Sequence, residues 1–169
     1  MNNGARSPLA LSKIRLLALD VDGVLTDGRL YFGAKGEALK VFHVRDGHGI
    51  KLLQSSGVDV VTISGRRSAA VSARMRELGV RNVIQNCKDK VAALQTIAMP
   101  LNIPLNACAC LVDDTPDMPL MSSVGFAAAV SDAHPLVKRA AHWVATTAGG
   151  RGAVRELCDA ILRARAGQR

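Results

Sequence analysis

Short apolar runs, each closed abruptly by a polar residue or glycine, recur along the chain, and stretches with helical spacing separate them. The runs predict strands over Arg15–Leu19, Val58–Ile63, Asn82–Ile84, Ala107–Val112 and Val124–Ala128, with a last short one near His142–Ala145. The stretches between predict helices over Gly49–Ser55, Arg67–Leu78, Asp89–Met99, Pro116–Ser122, Pro135–Ala140 and Gly152–Arg165. Strand and helix alternating through short connections is the signature of a parallel sheet with helices on both faces. The predicted class is therefore α/β, with a Rossmann-like parallel sheet. One piece breaks the rhythm. Arg29–Phe32 and Glu37–Val44 flank the turn Gly33-Ala34-Lys35-Gly36, which is a hairpin signal. A β-hairpin flap is expected directly after the first strand, too small to be a cap domain. Residues 1–13 lack the apolar core of a signal peptide and read as a flexible N-terminal tail. Residues 14–169 read as one domain.

The polar residues that close the strands carry the chemistry. The first strand ends in Asp20-Val21-Asp22-Gly23. Open α/β sheets place ligands at the carboxyl ends of their strands, and two carboxylates held close together call for a cation or a shared proton. The strand ending at Val112 runs into Asp113-Asp114-Thr115-Pro116-Asp117, where Pro116 suits a first helical turn. A helix cap accounts for one of those acids, not three. Acids converging from two strand ends make an oxygen-rich pocket for a hard cation such as Mg²⁺. Ser64-Gly65-Arg66 closes a third strand. Ser64 reads as a helix cap or as a ligand-binding hydroxyl. Arg66 opposes the helix dipole there unless an anion is bound. Lys90 raises the same question, with Lys88 beside it favouring an ordinary solvated pair. Gly149-Gly150-Arg151-Gly152 reads as a flexible joint or as an anion-binding nest. His43 and His48 flank Arg45-Asp46-Gly47, and no two of the four histidines have the spacing of a metal pair on one helix.

Composition narrows the partners. The chain has 169 residues, 49% hydrophobic but only 3% aromatic, so its core is aliphatic. The net charge of +8 is scattered rather than blocked. Without base-stacking aromatics it argues against nucleic acid and suits a small anionic substrate. No apolar run is long enough for a membrane span. Four cysteines without a CxxC pair read as free thiols in a reducing cytoplasm.

In combination these features are specific. An Asp-x-Asp strand end, a Ser strand end, a lysine and an acidic strand end, in that order, resemble the four motifs of the haloacid dehalogenase superfamily, carried here by Asp20 and Asp22, Ser64, Lys90, and Asp113-Asp114-Thr115-Pro116-Asp117. Asp20 to Gly28, the hairpin glycines, Val44 to Ile50, Ser64-Gly65-Arg66 and Gly149 to Glu156 resemble the capless 3-deoxy-D-manno-octulosonate 8-phosphate (KDO 8-phosphate) phosphatases of that superfamily, over about Ile14 to Ala164. The resemblance implies a Mg²⁺-dependent phosphatase of lipopolysaccharide precursor synthesis, working in the cytoplasm as a homotetramer. It implies Asp20 as nucleophile, Asp22 as acid and base, and Ser64 and Lys90 on the phosphoryl oxygens. It places the metal on Asp20, the Asp22 carbonyl and Asp113, with Asp114 and Asp117 in support. It puts substrate contacts on Asp22, His43, Val44, Arg45, Asp46, Gly47, Lys51, Gly65, Arg66, Arg74 and Lys90, and brings Gly149–Arg151 to a neighbouring subunit. Two residues depart from the pattern: Val112 stands where the family has glycine, and Lys51 where it often has arginine. Phosphatases of other sugar-acid phosphates, such as a nine-carbon 9-phosphate, share the four motifs. A non-enzymatic sugar-acid-binding module typically lacks one of the carboxylates, and all are present here.

Overall fold

The computed structural model describes residues 11–167. Eight strands are present: β1 Leu16–Leu19, β2 Tyr31–Gly33, β3 Gly36–Leu39, β4 Asp59–Ile63, β5 Asn82–Ile84, β6 Cys108–Val112, β7 Phe126–Ala129 and β8 Trp143–Val144. Between and after them run α1 Val44–Ser55, α2 Ala69–Glu77, α3 Lys90–Ala98, α4 Met118–Ser123, α5 Pro135–Ala140 and α6 Ala153–Ala166. Six strands form a parallel sheet in the order β5-β4-β1-β6-β7-β8, and β2-β3 form a separate antiparallel hairpin. Strand β1 lies between β4 and β6, Leu17 pairing with Val60 on one side and Ala109 on the other. Every residue of β1 and β6 is buried. Strands covered on both faces need continuous rather than alternating apolar sequence, and both have it.

From β1 the chain steps outward through β4 to β5, then crosses back and runs the other way through β6, β7 and β8. Right-handed crossovers put α1 and α2 on one face of the sheet and α3, α4 and α5 on the other. Helix α6 returns to pack along α1, while α4 packs against both α3 and α5. The direction of winding reverses between β1 and β6. At such a reversal the loops part and leave a crevice at the carboxyl ends of the strands.

The expected alternation is present, with differences at the boundaries. Helix α1 begins at Val44, five residues before the expected Gly49, with His43 Nδ1 accepting from the Arg45 amide at 3.2 Å as its cap. Its two internal glycines read locally as loop, each costing about 1 kcal/mol relative to alanine in a helix. Tertiary packing requires them. A Cβ on Gly47 would stand 2.3 Å from Arg74 Nη2, and one on Gly49 3.1 Å from Arg155 Cα. After β6 the acidic segment forms a short 3-10 turn, Thr115–Asp117, before α4 starts. The strand expected from Val124 starts at Phe126, because Val124 still caps α4. Leu11 packs against the core and Ser12 is buried, so packed structure begins ahead of residue 14. Residues 1–10 of the expected tail lie outside the described residues.

Burial pushes the thiols of Cys108, Cys110 and Cys158 up to about 11, 12 and 12 respectively. Cys87 is half-buried, and all four cysteines are free. Among the described residues, no helix is long and apolar enough to cross a membrane.

Candidate active site

Immediately after β1 the chain turns sharply. The Val21 carbonyl accepts from the amides of Val24, Leu25 and Thr26. Thr26 Oγ1 accepts from the amides of Gly23 and Gly28 at 3.4 and 3.3 Å. Gly23 sits at φ +89°, and a Cβ there would fall 2.0 Å from Asp113 Oδ2. Glycine thus lets the Asp113 carboxylate, arriving from the end of β6, lie directly over the turn that carries Asp20 and Asp22.

Behind that turn lies the Gly149-Gly150 pair. Gly150 donates its amide to the Val24 carbonyl at 2.8 Å, and Gly149 donates to Asp132 Oδ1 at 3.0 Å. Two main-chain hydrogen bonds thus tie Gly149 and Gly150 to the turn and to Asp132 of the same chain. Arg151 is exposed and stands 3.7 Å from Asp27.

At the crevice the acids meet a half-buried cation. Lys90, the first residue of α3, donates to Asp20 Oδ1 and Asp117 Oδ2, both at 2.7 Å. Burial alone would depress its ammonium, but the Asp20 and Asp117 charges hold it above its ordinary value. Asp89 caps the helix by accepting from the Ala92 amide at 3.0 Å. Burial, with the charges of Asp20, Asp117 and Asp114, pushes Asp113 up to about 7. Burial and the Asp20 charge push Asp117 up to about 6 against the pull of Lys90. Its second oxygen, Oδ1, is buried without a partner. Asp114 is exposed and accepts from the Thr115 amide at 2.7 Å, so it caps the 3-10 turn and touches neither Lys90 nor Asp20.

Ser64, at the end of β4, is buried, and its Oγ accepts from the Arg66 amide at 3.2 Å. Asp20, Asp22, Ser64, Gly65, Arg66, Lys90, Asp113, Asp114 and Asp117 together line one cleft of about 620 Å³. Nine predicted positions, contributed by four separate segments, therefore converge at the winding reversal.

The remaining predicted positions fall elsewhere. His43, Val44, Arg45, Asp46, Gly47 and Lys51 lie at the start and along α1, and none lines the cleft. Asp46 is 1% exposed and turns into the α1–α6 contact, its Oδ1 accepting from the Arg155 amide at 2.8 Å. Burial raises its carboxyl above the usual range. Val44, Arg45 and Lys51 are exposed. Arg74 pairs with Glu77 at 2.8 Å and covers Gly47.

Two charged residues of the hairpin segment that sequence reasoning passed over join the site. Lys40, its side chain 2% exposed, is hydrogen-bonded to Asp22 Oδ1 and pairs with Glu37 Oε2 at 3.1 Å. Glu37 Oε2 also meets Arg66 Nη2 at 3.4 Å, and Arg66 Nε approaches Asp22 Oδ2 at 3.9 Å. Hydrogen bonds from Ser68, Lys40 and Arg66 outweigh burial and hold the Glu37 carboxyl below its ordinary value. Glu37 lies only three residues before Lys40, but nothing local signals that Lys40 is buried against Asp22, eighteen residues earlier.

The donor set suits a hard divalent cation. Carboxylates outnumber cations around the cleft, and burial together with the neighbouring negative charges holds the Asp113 carboxyl above its ordinary value. Among the described residues no three His, Cys, Asp or Glu side chains form a ready cage. A cation held by fewer than three such side chains completes its shell with water and other oxygens, as Mg²⁺ commonly does.

Known proteins are similar to this chain in sequence and fold. The family described as haloacid dehalogenase-like hydrolase matches residues 80–157. The chain is 46% identical over 153 residues to the 3-deoxy-D-manno-octulosonate 8-phosphate phosphatase of Yersinia pestis, across 90% of this chain and 82% of that protein. It is 45% identical over 164 residues to the Salmonella typhimurium phosphatase of the same name, across 95% and 87%. The structure of the Moraxella catarrhalis phosphatase, in complex with a magnesium ion, a phosphate ion and KDO, superposes with a TM-score of 0.91 at 38% identity, covering 95% of this chain and 92% of that one. Identity of this extent over nine-tenths of the chain or more shows that the chain belongs to the KDO 8-phosphate phosphatase family of haloacid dehalogenase-like hydrolases.

Proposed function

We propose that the chain hydrolyses KDO 8-phosphate to KDO and inorganic phosphate, a phosphoric monoester hydrolysis in lipopolysaccharide precursor synthesis. The observation that carries this reading is the Asp20–Lys90–Asp117 bridge set beside Asp22 and Asp113 at one crevice. In this reading Asp20 attacks phosphorus in line and forms an aspartyl-phosphate. Asp22 gives a proton to the departing sugar oxygen, then takes one from the water that hydrolyses the intermediate. Ser64 and Lys90 hold the non-reacting phosphoryl oxygens, and Asp117 holds Lys90 in place. Bound Mg²⁺, held by Asp20, Asp113 and the Asp22 carbonyl, supplies positive charge that offsets repulsion between the Asp20 carboxylate and the phosphate dianion. Positioning and charge neutralisation are most of what phosphoryl transfer asks of a protein.

The cleft is open, and the predicted contacts on α1 lie away from it. The hairpin and the start of α1 expose Leu30, Tyr31, Phe32, Leu39, Val41 and Val44, with Phe32 and Val44 at 64% and 75%. Apolar exposure concentrated in this way marks an interaction surface. It supports a homotetramer in which one subunit's hairpin closes another's cleft, acting in the cytoplasm on a sugar-acid phosphate.

The test is phosphate release from KDO 8-phosphate and from a panel of other sugar phosphates, with and without Mg²⁺. Wild type should release phosphate fastest from KDO 8-phosphate and only with metal, and Asp20→Asn should be slower by at least about 10³-fold. Faster release from a nine-carbon 9-phosphate would overturn the substrate and keep the mechanism. No release from any ester would overturn both.

A further inference from the structure

We infer that Lys40 is a positioning residue that fixes one oxygen of Asp22 and reserves the other, Oδ2, for proton transfer to the leaving group. This rests on the phosphatase reading above and assigns it an atom and a partner.

The argument starts from the two oxygens of Asp22, which have unlike surroundings. Oδ1 accepts from Lys40, whose ammonium is almost completely buried between Asp22 and Glu37. Oδ2 is buried and accepts no hydrogen bond, although Asp22 lines the cleft. Arg66 Nε stands 3.9 Å from it, beyond hydrogen-bond range. A buried carboxylate oxygen without a donor is costly, and natural structures keep such atoms where a ligand or a proton completes them.

Lys40 is itself held. Glu37 takes it on one side and takes Arg66 at 3.4 Å on the other, so Asp22, Lys40, Glu37 and Arg66 close a ring of alternating charge. Three segments meet in that ring: the turn after β1, the hairpin and the end of β4. A carboxylate free to rotate about its Cβ–Cγ bond would offer either oxygen to the substrate. Oδ1 accepts the Lys40 hydrogen bond whether or not Oδ2 carries a proton; this removes that freedom and holds Oδ2 in register with the leaving oxygen, which general acid catalysis requires.

The step balances simply. An Asp20 oxygen forms a bond to phosphorus while the ester P–O bond breaks. The electron pair stays on the sugar oxygen, and the proton on Asp22 Oδ2 moves to that oxygen, leaving Asp22 as carboxylate.

This role has a readout that structure alone would not move. An alkyl phosphate leaves as a strongly basic alkoxide and needs the proton. 4-Nitrophenyl phosphate leaves as a stabilised anion and does not. The experiment compares kcat/KM for KDO 8-phosphate and 4-nitrophenyl phosphate in wild type, Lys40→Met, Asp22→Asn and the double variant. In Lys40→Met the alkyl-to-aryl ratio should fall about 10–100-fold. In Asp22→Asn it should fall at least as far, and adding Lys40→Met to it should change the ratio less than about twofold. Lys40→Gln, a neutral donor of similar length, replaces Lys40→Met if the latter does not fold, with a fall of about 10-fold expected. An unchanged ratio in a folded Lys40 variant, or a further fall in the double variant, overturns the assignment while leaving the phosphatase reading intact. A wild type inactive on both esters overturns that reading and the assignment with it.

Discussion

Gly149 lies against the main chain of Gly23 so closely that a Cβ on Gly149 would stand 1.8 Å from the Gly23 carbonyl oxygen. The turn that carries Asp22 therefore rests on a segment more than a hundred residues later in the chain. Gly149→Ala should push that turn forward without touching any group in the cleft. Misplacing a reacting group by about 1 Å costs roughly 10²-fold in rate. Activity on KDO 8-phosphate should fall by about that factor in a protein that still shows a cooperative melt.

The acid cluster should set an unusual pH dependence of stability. Asp113 titrates near 7 and Asp117 near 6 in the folded protein, both above their ordinary value of 3.8. Between those limits the folded state binds more protons than the unfolded one, so stability falls as pH rises. Metal-free protein should melt about 2–4 °C higher at pH 5.5 than at pH 8. Glu37 and Glu156, held below 4.5, lose their contribution only at lower pH and do not oppose this trend. Saturating Mg²⁺ should raise the melting temperature most at pH 8 and flatten the slope. A slope of the opposite sign in metal-free protein would show that the four carboxylates do not share one field.

Phe32, in strand β2 of the hairpin, is 64% exposed. Phe32→Asp places a charge in the centre of the surface assigned to subunit contact. It should convert a tetramer to smaller species in analytical ultracentrifugation and lower activity on KDO 8-phosphate, with little change in the monomer's fold by circular dichroism. A tetramer that survives the substitution would place the contact elsewhere.

What the sequence made legible follows from the range of each interaction. The ends of β5 and of α5 were read to the residue, because local signals determine them: short β-branched runs bounded by polar residues, and Pro135 at a helix start. The acid cluster of the cleft was legible because its carboxylates follow apolar strands, and strand ends in such sheets converge. Helix α1 was read five residues short. Gly47 and Gly49 oppose helix locally, and only Arg74, Arg155 and Cys158, distant in sequence, explain why they are tolerated.

Residues whose meaning lies in a pairing were the least legible. Lys40 and Glu37 look like ordinary solvated charges of a turn, and their burial appears only when the hairpin folds onto Asp22 and Arg66. Asp46 shows the converse. The resemblance puts it among the substrate contacts, while its carboxylate caps the start of α6 through the Arg155 amide. Gly149 and Gly150 carry the composition of a hinge, yet both pack against the main chain of the turn after β1.

The strand order has a consequence for synthesis. Strand β1 is the first element of the sheet to leave the ribosome, and β4 covers one of its edges early. Its other edge waits for β6, which begins 45 residues after β4 ends. At roughly 5–20 residues per second, that wholly apolar edge stays unpaired for some seconds in every newly made molecule. An open apolar strand is a template for unwanted pairing. The nascent chain is therefore at its most vulnerable to aggregation after β5 and before β6, and slow translation across Gln85–Ala107 would lengthen that exposure.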